Sequence, residues 1–106
     1  MKRHRRVTVR IAAVIEVELE LDGAWHSFRS VDLSLGGVCL QFAREAAPPL
    51  RQVVALRLHL PAGDVIATRG EICWIKAQET QLGVQFEGMA PADVLLWARF
   101  LKEPGA

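Results

Sequence analysis

Residues 15–21 alternate without exception: Ile15, Val17, Leu19 and Leu21 are apolar, and Glu16, Glu18 and Glu20 stand between them. A period of two is the pattern of a strand with one buried and one wet face, and the Asp22-Gly23 that follows is a hairpin-turn sequence. The alternation returns along the chain. Residues 25–31 continue extended, and beyond Gly36-Gly37 residues 38–42 alternate again. Val54, Leu56, Leu58 and Leu60 alternate with Ala55, Arg57 and His59; Pro61-Ala62-Gly63-Asp64 then makes a turn into an extended run over residues 65–75, and residues 82–86 supply a last short strand. Ala46-Ala47-Pro48-Pro49 is a connection, because proline has no amide to donate to a ladder or a helix interior. Only the C-terminal stretch changes period. Pro91 suits a first helical turn, Asp93 suits the positive helix start, and Val94, Trp97, Ala98 and Leu101 recur at helical spacing.

About six strands and one helix leave the apolar strand faces to close on one another, because a single helix cannot cover such a sheet. The expected fold is therefore all-β: a six-stranded antiparallel barrel over residues 13–88, a C-terminal α-helix over residues 89–103 and a flexible basic arm over residues 1–12. A chain of 106 residues with 51% hydrophobic content supports one such domain and is too apolar for a disordered chain. Its apolar runs are interrupted every few residues by Glu or Arg, far short of the ~20 apolar residues of a membrane helix. No membrane span is expected, and the basic N-terminus lacks the apolar core and small-residue cleavage site of a secretory signal. The expected location is the cytoplasm. Cys39 and Cys73 each lie in an apolar run without metal-ligand spacing; they read as free thiols acting as small hydrophobes, a disulfide between them being the alternative. Trp74 and Trp97 are assigned to the core, and Trp25 to either core or surface.

The net charge is +1, but five of the 13 basic residues (Lys2, Arg3, Arg5, Arg6 and Arg10) fall in the first ten positions, ahead of the first acid, Glu16. A cationic arm on a mildly acidic body points to an anion recruited at one place: a phosphorylated ligand, a nucleic-acid backbone or a membrane surface. The alternative is a solvated terminus without a partner. Catalytic constellations are missing. His4, His26 and His59 show no metal-ligand spacing. A nucleophile elbow around Ser34 would need glycine where Asp32 stands, and neither GxxxxGK nor GxGxxG occurs. No enzymatic activity, metal or cofactor is expected.

Two features occur together: Arg6-Val7-Thr8-Val9-Arg10, with Arg5 adjacent, and Asp32-Leu33-Ser34-Leu35-Gly36-Gly37 at a strand-to-strand junction. Taken singly, Asp32 and Ser34 read as turn residues bonding their own backbone, and the glycines as a bulge. The combination resembles the PilZ domain family, whose signature is RxxxR in an N-terminal arm followed by DxSxxG. The resemblance covers essentially the whole chain, since Cys73-Trp74-Ile75 and Gly83-Val84-Gln85-Phe86 before a terminal helix look like the end of the same domain. Lys2 and Arg6 are also four apart; Arg6 and Arg10 are the preferred register, because Arg10-Ile11 leads into the strand of residues 15–21. The resemblance implies a barrel that binds the bacterial second messenger cyclic di-GMP through Arg5, Arg6, Arg10, Asp32, Ser34, Gly36 and Gly37. It also implies relay to a separate protein effector in motility, pilus, exopolysaccharide or biofilm control. The chemistry agrees: guanidinium forks onto phosphate oxygens or guanine acceptors and stacks on bases, and an ionised Asp32 accepts from the guanine N1 and N2 donors. Ser34 donates a hydroxyl, and the glycines let the main chain approach without a Cβ. Two alternatives stand beside this reading: a barrel that binds a protein but no nucleotide, and nonspecific contact of the arm with nucleic acid or an anionic membrane. The few exposed-looking aromatics beside the basic cluster weaken the single-strand version of the latter, and no specific nucleic acid is expected.

Overall fold

The computed structural model describes residues 9–43 and 48–104. Six strands, β1 (Glu16–Leu21), β2 (Ala24–Ser34), β3 (Gly37–Gln41), β4 (Val53–His59), β5 (Val65–Lys76) and β6 (Gln81–Glu87), precede the helix α1 (Pro91–Lys102). Every neighbouring pair is antiparallel, and the order β1-β2-β3-β6-β5-β4 closes into a barrel. The alternation in β1 does what its period requires: Val17 and Leu19 are fully buried, and the glutamates face outward. Leu21 pairs with Ala24 across Asp22-Gly23, whose φ angles of 53° and 80° are the two positive values of a type I′ hairpin turn. Leu56 and Leu58 from β4, Ile66 and Ile72 from β5, Leu40 from β3 and Leu82 from β6 complete the closed interior.

Two strands break the period of two, each by one residue. In β2, Ser30 lies opposite Leu40 and Asp32 opposite Cys39, so Val31 has no partner. Phe28 and Ser30 are buried before this bulge and Leu33 after it, whereas an unbroken strand would have sent Asp32 inward. In β5, Ile72 lies opposite Val84 and Trp74 opposite Gly83, leaving Cys73 as the extra residue. The inward series Ile66, Thr68, Gly70 and Ile72 then resumes at Ile75, which packs against the core, and Trp74 is turned to the outer wall. Trp74 is therefore only partly buried, which corrects its assignment to the core.

The chain ahead of β1 keeps to the barrel. Ile11 and Leu33 exchange two backbone hydrogen bonds of 2.8 Å, and Ser30 N–H donates to the Ile15 carbonyl at 3.0 Å. The buried Ser30 hydroxyl accepts from the Ile15 N–H at 2.8 Å and donates to the Ala13 carbonyl at 2.6 Å. Residues 11–15 thus run antiparallel along the C-terminal part of β2, from Leu33 back to Ser30, and the segment expected to be arm is attached from Ile11 onward. Positions 1–8, with Arg5 and Arg6, lie outside the described residues.

Strands β2, β4 and β6 run in one direction, and α1 sits over the end where all three finish. Trp97 there is fully buried, edge-on to Phe86 at 5.7 Å between centroids and beside Phe100 at 5.8 Å. Pro91 occupies the first turn with Asp93, and Arg99 and Lys102 occupy the last. The stripe that packs inward is Leu96, Trp97, Phe100 and Leu101, rotated from the expected one, with Val94 left exposed. Leu58 is fully enclosed on β4. Leu58→Ala should lower unfolding stability by about 2–5 kcal/mol, read from the shift in urea midpoint at unchanged slope.

Candidate functional site

Antiparallel pairing brings Arg10 to Asp32. With Ile11 bonded to Leu33, the preceding residue reaches the outer wall of β2, and Arg10 Nη1 lies 3.2 Å from Asp32 Oδ1. The arginine side chain is 58% exposed and the aspartate 26%, so this pair holds its partners by roughly 0–1 kcal/mol and yields readily to a better ligand. Both groups reach the surface because of the Val31 bulge.

Arg10 stands between two adjoining open clefts. One, of about 310 Å³, is lined by Ser34, Gly36, Gly37, Trp74 and Gly83 among others. The other, of about 250 Å³, is lined by Asp32, Cys39, Trp74, Lys76 and Gln81. Trp74 borders both. Its indole lies against the main chain of β6: a Cβ on Gly83 would sit 2.2 Å from Trp74 Nε1. Lys76 Nζ is 5.2 Å from the ring centroid, within cation–π range. The wall therefore offers a flat indole on a glycine floor, flanked by an arginine and a lysine. Sequence reasoning assigned Trp74 to the interior and gave Lys76 and Gln81 no role. The signal that identifies the shelf is glycine opposite tryptophan, which shows only once the bulge sets the β5–β6 register.

The described motif residues are brought together. Ser34 ends β2 rather than lying in the turn; its hydroxyl is partly buried and donates a long 3.3 Å bond to the Gly37 carbonyl. Its own carbonyl accepts from Trp97 Nε1 at 2.8 Å. The two glycines differ in their physical roles. A Cβ on Gly37 would fall 2.2 Å from the Val84 carbonyl oxygen of the adjoining strand, so glycine is needed there for β3 to pair with β6. A Cβ on Gly36 would meet nothing within 4 Å.

Cys39 lies between the core residues Val38 and Leu40 and so faces the outer wall, where it is nonetheless covered. Burial, with the Asp32 carboxylate beside it, pushes the Cys39 thiol up, against the opposing pull of Arg10 and Lys76. It is kept protonated at neutral pH. Cys73, the extra residue of the β5 bulge, donates to the Gly83 carbonyl at 3.4 Å, and both cysteines are free.

A second polar group occupies the wall of β1 and β4. Arg57 Nε and His59 Nε2 lie 3.0 and 2.6 Å from Glu18 Oε1, Ser27 donates to Glu16, and the Arg57 guanidinium stacks 3.7 Å over the partly exposed Trp25. The His59 hydrogen bond, with Arg57 adding its charge, holds the Glu18 carboxyl below the usual carboxylate range against the opposing effect of desolvation. Among the described residues Glu16, Glu18 and His59 are the one group whose ligand atoms, all within 4.8 Å of each other, are close enough to hold a metal ion, but each is already hydrogen-bonded. Among the described residues no helix is long and apolar enough to cross a membrane, α1 having twelve residues.

A barrel closed in this strand order and capped by one helix, with an arginine–aspartate pair beside the Ser34-Leu35-Gly36-Gly37 hairpin, defines a small β-domain. The PilZ domain model matches residues 4–103, and the chain belongs to the PilZ domain family. Solved structures share the fold. The inhibitor of motility MotI, or DgrA, from Bacillus subtilis superposes with a TM-score of 0.81 at 17% identity, over 96% of this chain and 52% of its own. The PilZ domain of YcgR from Escherichia coli, solved with c-di-GMP, gives 0.72 at 21% identity, over 93% and 90% of the two chains. The longer YcgR chain in complex with c-di-GMP gives 0.79 at 22% identity, over 94% of this chain and 46% of its own. This chain therefore spans about half the length of MotI and of the longer YcgR. No curated protein matches its sequence.

The different roles of the glycines are testable by thermal denaturation. Gly36→Ala should fold with a melting temperature within about 2 °C of the parent, since neither space nor a positive φ forbids the side chain. Gly37→Ala should melt several degrees lower.

Proposed function

We propose that this chain is a cytoplasmic cyclic di-GMP receptor domain with no enzymatic activity, which relays ligand occupancy to a protein effector. The observation that carries the reading is the Arg10–Asp32 pair, held at the surface between two clefts that share the Trp74 indole. Cyclic di-GMP presents two phosphodiesters and two purines. In this assignment Arg10 exchanges its weak bond to Asp32 for a forked contact with a phosphate or with the acceptor edge of guanine. Asp32, released, accepts from guanine N1–H and N2–H, a role that adenine does not satisfy because its N1 is itself an acceptor. Ser34 exchanges its long bond to Gly37 for a ligand oxygen. Trp74 offers its face to a base, and Gly36 leaves room for main-chain approach. Arg5 and Arg6, which precede the point where the chain joins β2, are assigned to the ligand's outer side, so that binding brings the N-terminal arm over the occupied cleft. The surface so altered is what an effector in motility, pilus, exopolysaccharide or biofilm control would read.

Titration calorimetry of the purified protein at physiological salt tests this directly. Saturable binding of cyclic di-GMP with micromolar or lower Kd is expected, with no heat from cyclic di-AMP or GTP. Arg10→Ala should weaken binding by about ten- to a hundredfold, as expected for loss of a charge-assisted hydrogen bond. Arg6→Ala should do the same and Lys2→Ala should have little effect; a Lys2→Ala more damaging than Arg10→Ala moves the basic pair to Lys2 and Arg6. Absence of binding, with the arm intact, leaves a protein-binding barrel without a nucleotide. Binding that falls steeply with salt and lacks guanine preference leaves nonspecific contact by the arm.

A further inference from the structure

Among the described residues, the side-chain hydrogen bond that joins the DxSxxG segment to the terminal helix runs from Trp97 Nε1 to the Ser34 carbonyl, 2.8 Å long and buried. Trp97 is fully enclosed, and Phe86 and Phe100 pack against its ring. An indole N–H has one proton to donate and no accepting capacity, so in this enclosed position its direction fixes where the Ser34 carbonyl must lie. The hydroxyl that faces the cleft belongs to the same residue, and its other contact, 3.3 Å to the Gly37 carbonyl, is long for a hydroxyl donor. Of the two side-chain hydrogen bonds at Ser34 the shorter therefore comes from α1, and it adds to the backbone pairing of Ser34 with Gly37.

We infer that Trp97 is a positioning residue for the cyclic di-GMP site, holding Ser34 ready for the ligand and coupling occupancy of the cleft to the seating of α1. This inference rests on the proposed ligand. Breaking the indole bond leaves Ser34 paired with Gly37 but frees its carbonyl from the helix, so the ligand must fix the orientation of Ser34 on arrival. Coupling of this kind is reciprocal: what Trp97 does for the ligand, the ligand does for Trp97. The outward residues of α1, Leu95 at 69% exposure and Val94 beside it, move only as far as that seating changes.

The experiment compares Trp97→Phe, which keeps an aromatic ring and deletes the N–H, with Phe100→Leu, which disturbs the same packing without touching Ser34. Calorimetry with cyclic di-GMP should show Kd raised about three- to tenfold by Trp97→Phe, the loss expected for one neutral hydrogen bond, and changed less than twofold by Phe100→Leu. Equal effects from the two variants, or a Trp97→Phe Kd within twofold of the parent, would reduce Trp97 to a core residue and overturn the inference. Should Trp97→Phe fail to fold, the indole 15N–1H resonance of Trp97 in the parent protein decides. It should shift on saturation with cyclic di-GMP, and an unmoved resonance overturns the inference. If the parent does not bind cyclic di-GMP at all, the ligand assignment itself fails; if the parent binds and the Trp97 results are negative, only the coupling fails.

Discussion

The site depends on parity. A strand in a closed barrel has an inside and an outside, and every residue's side is fixed by counting from its neighbours. One unpaired residue, Val31 in β2, reverses the count and sends Asp32 out and Leu33 in; one more, Cys73 in β5, does the same for Trp74 and Ile75. Without the first, a carboxylate would face the apolar interior in place of Leu33, at a cost of several kcal/mol for the buried charge. Without the second, an indole would have to fit into an interior already filled. The bulges bring charge and aromatic surface to one wall while leaving the interior almost wholly apolar.

Strand β2 serves as the common reference for the other elements of the site. It pairs with β3 on both sides of the bulge, and its other edge receives residues 11–15 through Leu33 and Ser30. Its last carbonyl receives the helix through Trp97. The N-terminal segment, the hairpin and the C-terminal helix come from separate parts of the chain, yet they meet on β2 between Ser30 and Ser34. The opposite wall is organised differently. There Glu18 is shared between Arg57 and His59, and the guanidinium is occupied by Trp25, so the polar groups satisfy each other and the wall presents closed pairs.

Much of this was legible beforehand. The period of two in β1, the Asp22-Gly23 turn and the proline at the start of α1 are local signals, and local physics decides them. The proximity of Arg10 to Asp32 was legible only through the pairing of two motifs, since nothing in either segment alone specifies the other. A bulge is a different matter. Residues 65–75 read as one regular strand, and counting from Ile66 puts Trp74 inside; the unpaired Cys73 becomes visible only against Val84 and Gly83 on the partner strand. The helix stripe was off by a fraction of a turn for a similar reason. Val94 satisfies the spacing, but the barrel end it would cover is already filled by Trp97 and Phe100.

The Arg10–Asp32 pair has a kinetic consequence. Two opposite charges 3.2 Å apart cancel at a distance, so in the proposed function this pair exerts little pull on an approaching dianion beyond a Debye length of about 8 Å. In that proposal the long-range attraction comes instead from the charges of Lys2, Arg3, Arg5 and Arg6, which precede the first acid by at least ten positions. Speed of capture and duration of stay are thereby assigned to different parts of the molecule. Ionic strength acts mainly on the first, through the N-terminal cations, whereas the dwell time of a bound anion follows the short-range contacts on β2 and is comparatively indifferent to salt.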